Sequence, residues 1–149
     1  MTEAGRGAAL ALALAASPVA ADEALDEERL RCLSALSSDA RGGLAACERI
    51  VAGLEAVRAT PGIEPWRADH ASVAIGASRH AMAEALKGDA PAASCAQADA
   101  AATAFAAVVD LDAMHPETAD WVRWRAGLVA DMVAACREAG RGEADGPSR

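Results

Sequence analysis

SDARGGLAACERIVAGLEAVRATPG, residues 38–62, decides the fold class. Ser38-Asp39 is a helix-capping pair, and Leu44, Cys47, Ile50, Val51, Leu54 and Val57 recur at the i, i+3, i+4, i+7 spacing of a helix that buries one face. Pro61-Gly62 ends the pattern with a turn. The stretch reads as one helix over about 40–59, weakened in its first turn by Gly42 and Gly43 at about 1 kcal/mol per glycine.

The same reading extends both ways. Upstream, Asp22 can cap a helix over about 23–37. Downstream, Pro65 suits the first position of a third helix that runs to about Lys87, where Gly88 reads as the glycine past a helix end and Asp89 as the next cap. A fourth helix, with Pro91 in its first turn, is predicted to reach about Leu111 along a stripe of Cys95, Ala98, Ala102, Phe105 and Val109. His115-Pro116-Glu117 opens a fifth, ending at Gly140, with a stripe of Trp121, Trp124, Leu128, Met132 and Cys136. The third helix has the weakest stripe, with Val73, Ile75, Met82 and Leu86 spread around it. No run of alternating β-branched or aromatic residues suggests a strand. Short connections between helices favour antiparallel neighbours, so the predicted fold is all-α, an up-down array of five helices in hairpins.

Composition makes that array thin at its core. Of 149 residues 43 are Ala, while Leu, Ile, Val and Phe together number 25. Alanine favours helix and close approach, yet each buried methyl contributes little. A homodimer sharing its core is compatible with so few large apolar residues. Cross-links are another remedy, and the cysteines are placed for them. Cys32 and Cys47 lie six and nine residues from a turn near Ser38; Cys95 and Cys136 lie 19 and 22 from a turn near Met114. Partners across an antiparallel pair must be nearly equidistant from their turn, so Cys32–Cys47 and Cys95–Cys136 are the preferred disulfides among three connectivities. Buried free thiols and a four-thiolate metal site are the alternatives, the latter lacking the close cysteine pairs that preorganise zinc.

Residues 1–21 have the order of a secretory signal: a short polar start with Arg6, the apolar run Ala8–Ala16, Pro18, and small residues Val19 and Ala21 before a cut at Asp22. The apolar run is too short to span a bilayer. The expectation is a signal peptide over 1–21, one helical domain over 22–140, a disordered Gly/Pro/Ser-rich tail over 141–149, and a periplasmic or secreted product without membrane insertion once the signal is removed. An even cysteine count fits an oxidising compartment.

The net charge of −8 and the absence of a basic patch argue against nucleic acid as partner. There is no G-x-S-x-G, glycine-rich phosphate loop, H-E-x-x-H or C-x-x-C, so no catalytic residue, metal ligand set or cofactor is assigned, and an enzyme is not expected. His80 and Glu84 sit one turn apart and read as a surface ion pair; His70 and His80 do not share a face. Asp110, Asp112, Glu117 and Asp120 bracket a helix junction, where acids favour the dipole of the helix that follows. Trp66 and Trp121 each open a helix behind a proline and are expected to pack the helix ends; with Met82 and Trp124 they are the candidate binding residues.

The stretch 85–141 resembles a tetratricopeptide helical hairpin and the start of the next. Leu86-Lys87-Gly88-Asp89 is similar to the turn inside such a repeat, Ala101, Phe105 and Val108 fall in the order of its small and aromatic positions, and Leu111-Asp112 with His115-Pro116 resembles its closing turn. Trp121 and Gly127 resemble the opening of the next repeat, and Leu44–Ile50 a second helix. Gly88 to Leu111 spans 23 residues and Trp66 to Trp121 spans 55, against a repeat of about 34, so the array is degenerate in register. The resemblance implies binding of a protein or peptide on a concave face.

Three functions follow as expectations. The first is an exported binding or adaptor module with a groove lined by helices one, three and five, where Trp124 or Met82 is partly exposed. The second is a periplasmic inhibitor or immunity-type protein that blocks a basic enzyme. The third is a metal or small-ligand carrier using His70, His80 and nearby acids.

Overall fold

The structure, a computed structural model, describes residues 18–144; most of the expected signal peptide and the end of the tail lie outside the described residues. Five helices follow one another: α1 (Pro18–Ser38), α2 (Ala40–Arg58), α3 (Pro65–Leu86), α4 (Pro91–Ala106) and α5 (Pro116–Ala144), with a single 3-10 turn at Leu111–Ala113 before α5. Among the described residues there is no strand. Successive helices run antiparallel. α2 packs on α1 and α3, and α4 packs on α3 and α5. Thus α1, α3 and α5 run the same way in one layer, with α2 and α4 behind them.

The local chemistry explains most boundaries. Asp39 caps α2, its carboxylate accepting from the amides of Arg41 and Gly42, both at 3.1 Å. Gly62 carries the turn after α2 with φ of 73°, a conformation that a side chain would oppose. Pro65 and Pro91 occupy first turns, where the missing N–H is no loss.

Four boundaries differ from the sequence reading. α1 begins at Pro18 and continues through Asp22 without a cap there, and α5 extends past Gly140 to Ala144. Ala90, and not Asp89, precedes α4, and Gly88 keeps a negative φ because the 87–90 turn stays right-handed, with the Ala90 amide bonded to Leu86 O at 2.9 Å. α4 stops at Ala106, well short of Leu111. The cause is Asp69 on α3, only 4 % exposed, whose carboxylate accepts from Val109 N at 2.8 Å and Asp110 N at 2.9 Å. Those amides would otherwise point back along a continuing helix. Val109, assigned to the apolar stripe of α4, is consequently 86 % exposed.

α3 is the centre of the molecule. Every residue from Ala71 to Ser78 is buried, so the helix has no solvent face over two turns. It supplies Ala71, Ala74, Ile75 and Met82 to a core shared with Leu25, Cys32, Cys47, Val51 and Leu54 of α1 and α2. It also supplies Val73 and Ala83 to a second core with Ala98, Ala101 and Phe105 of α4 and Val122, Val129 and Val133 of α5. Two glycines mark close approaches. A Cβ on Gly43 would stand 2.5 Å from the Ala35 carbonyl of α1, and one on Gly76 would stand 2.9 Å from the Phe105 ring.

Disulfides join Cys32 to Cys47 and Cys95 to Cys136, the pairing that the turn-centred spacing predicts. The first clips α1 to α2 and the second clips α4 to α5. With alternating helices, all four cysteines lie towards the same end of the array.

Candidate functional site

A groove of about 490 Å³ opens at the end away from the disulfides. One wall is α1, through Glu23, Leu25, Asp26 and Arg29; the other is α5, through Glu117, Thr118 and Trp121. Val73, Ala74 and His70 of α3 form the floor. Leu25, Val73 and Ala74 are the apolar lining, each buried in the core yet reaching the groove. The groove exists because α1 and α5 flank α3 with little direct contact between them.

Above the floor, aromatic rings and guanidinium groups alternate. Arg29 reaches from α1 to 5.4 Å from the Trp121 ring, and Arg125 lies 5.5 Å from the same ring and 5.9 Å from Trp124. Cations over indole faces at this range attract. Arg29 also donates to Asp26, with Nη2 at 2.7 Å, which neutralises it. Among the described residues Arg125 has no hydrogen-bond or ion-pair partner, and its Nε is buried. Burial, followed by the Arg29 charge, lowers the Arg125 pKa, with Glu84 acting the other way.

The candidate binding residues separate. Trp121 borders the groove, half-buried. Trp124 is 56 % exposed, and Leu128 one turn further is also exposed. Both were assigned to the core stripe of α5, but the residues that α5 buries are Ala119, Val122, Val129 and Val133. The buried stripe is displaced from the wide side chains towards smaller ones, which fit the close alanine surface of α4. Trp66 lies edge-on to His70, ring centroids 6.0 Å apart, at the base of α3. Met82 is fully buried in the α1–α2–α3 core, so it offers nothing to a partner.

His80 likewise departs from the surface ion pair expected of it. It is 4 % exposed, with Nε2 3.7 Å from Glu84 and Nδ1 without a partner. Burial first, and the Arg125 charge second, hold its pKa below 6.5, while Glu84 pulls it upward. Behind the groove, Arg79 ties three helices together, donating to Glu48 on α2 at 3.1 Å and to Gln97 on α4 at 3.0 Å. Among the described residues no group of three His, Cys, Asp or Glu side chains is placed to hold a metal ion. Nor is any helix among them long and apolar enough to cross a membrane.

Sequence spacing could have located Trp121 and Arg125, one turn apart on α5. It could not have located Arg29 against them, because that contact joins residues over ninety positions apart. Arg79 carried no signal either, being a single charge inside a helix without a stripe. Comparison of the chain with protein-family models, with curated proteins and with solved structures finds no match.

Proposed function

We propose that this chain is an exported binding module that holds an extended segment of a protein partner in the groove between α1 and α5. The observation that carries the reading is the groove itself: Val73 and Ala74 on its floor, from the enclosed stretch of α3, with Trp121 at its edge and Trp124 exposed beside it. Indole rings supply large contact area at small entropic cost and are enriched where proteins bind one another. The resemblance of residues 85–141 to tetratricopeptide hairpins supports the same assignment, since it implies binding on a concave face. Export is supported by the signal-like order of residues 1–21 and by two disulfides in a chain of this size.

Chemical-shift mapping with pooled random octapeptides tests the binding reading. Shifts should concentrate on Leu25, Val73 and Trp121, and Thr118→Phe, which fills the mouth, should abolish them. Shifts spread over α2 and α4, or none at all, would remove the proposal. For export, intact mass of the chain expressed in a Gram-negative host should show a start at Asp22 and no alkylation before reduction. A full-length chain that alkylates unreduced would place the protein elsewhere.

A further inference from the structure

Resting on the groove reading above, we infer that the partner segment is basic: its cations meet Glu23 and Glu117 at the mouth of the groove and the exposed ring of Trp124 beyond it. Three carboxylates line the groove, those of Glu23, Asp26 and Glu117. Arg29 is spent on Asp26 at 2.7 Å. Glu23 and Glu117 are exposed on opposite walls and have no ion-pair partner among the described residues, so with Asp26 balanced by Arg29 they leave an acidic excess above the Val73 and Ala74 part of the floor. An excess of one sign of charge in a low-dielectric cleft concentrates ligands of the other.

Trp124 is an independent observation. The series Arg29, Trp121, Arg125, Trp124 alternates cation and ring, and it ends on an indole, not on a cation. Trp124 is more than half in solvent and has Arg125 as its one cationic neighbour in the series. A lysine or arginine of the partner extends the alternation by one member. An acidic segment would gain Arg125 but would run against Glu23 and Glu117. The whole-molecule charge of −8 favours the same partner sign at long range.

The experiment compares three octapeptide pools with identical apolar positions, in which the remaining positions are Arg/Lys, Gln or Glu. Binding to the full chain is read by Trp fluorescence and by the chemical shifts of the groove. The basic pool should bind about tenfold more tightly than the Gln pool, and that preference should shrink as salt is raised. In the double variant Glu23→Gln, Glu117→Gln the preference should fall towards parity. Both side chains are exposed, so the variant retains its fold, which circular dichroism checks. Trp124→Ala should weaken the basic pool more than the Gln pool. Equal affinity for the basic and Gln pools, or preference for the Glu pool, overturns this inference and leaves the groove reading standing. A basic preference unchanged in the double variant also overturns it. No binding by any pool overturns both.

Discussion

At the scale of the residue, His80 shows how a common pair of side chains changes character with its surroundings. The i, i+4 spacing to Glu84 is plain in the sequence, and on a free helix it would hold an exposed imidazolium. Here burial and Arg125 outweigh Glu84, so the folded protein keeps its His80 pKa below the ordinary value. The unfolded chain therefore takes up a proton near pH 6.5 that the folded chain resists, and the stability that the neutral form retains above that pH is lost as pH falls. The urea midpoint should decline from about pH 7 to about pH 5, and His80→Gln should decline less over the same interval. Identical pH profiles for the two proteins would show that His80 titrates freely. The sequence could show the pair but not the shift, because the dominant causes arrive from α5 and from burial, which local spacing does not encode.

At the scale of the element, close packing decides where local propensity does not. Glycine inside an exposed helix normally costs about 1 kcal/mol against alanine, so replacing it should stabilise. Gly53 on α2 is such a position, with nothing within 4 Å of an added Cβ. Gly43 on the same helix is not, since the added atom meets the α1 backbone at 2.5 to 2.7 Å and backbone cannot step aside. Gly53→Ala should raise stability by up to about 1 kcal/mol, and Gly43→Ala should lower it by about 1–3 kcal/mol. Urea unfolding of the two variants gives the comparison, and a stabilised Gly43→Ala would show that α1 and α2 can separate at no cost. The existence and order of five helices were legible from caps, prolines and stripes. The centrality of α3 was hidden by its own role: a helix buried on every side has no single apolar face for periodicity to find. The end of α4 was hidden because one carboxylate from another helix, Asp69, captures two of its amides. For α5 the expected stripe of Trp121, Trp124, Leu128, Met132 and Cys136 gives way to Ala119, Val122, Val129 and Val133, because alanine-rich α4 selects small partners. That same displacement leaves Trp124 exposed on the surface of α5.

At the scale of the whole molecule, the fold relies on cross-links to compensate for small side chains. The largest fully buried side chains are Leu54, Met82, Val51 and Val129, and much of the rest of the core is alanine. A disulfide acts on the unfolded chain instead, by an amount that grows with the loop it closes. For sequence separations of 15 and 41 the entropic model gives about 3 and about 4 kcal/mol. These are large fractions of the roughly 5–15 kcal/mol typical of a domain. Removing the Cys95–Cys136 bridge by paired alanine substitution should therefore cost more than removing Cys32–Cys47, and reducing both should bring the melting transition down by well over ten degrees. Thermal melts with and without reductant provide the measurement; an unchanged transition would mean that the alanine-rich core suffices alone.

Both bridges sit towards one end, and the groove opens at the other. Each bridge rivets one wall of the groove to the helix behind it, α1 to α2 and α5 to α4, and none joins the two walls. From Cys32 back to Glu23 is nine positions, an arm of about 14 Å; from Cys136 back to Glu117 is nineteen, an arm of about 28 Å. A tilt of α5 by about 5° around its bridge would carry Glu117 roughly 2 Å, and the burial of Ala119 and Val122 is what opposes it. The two cross-links therefore act as anchors at the far end of long levers, and the width of the mouth is set by the small side chains Ala119 and Val122 that seat α5 at its near end.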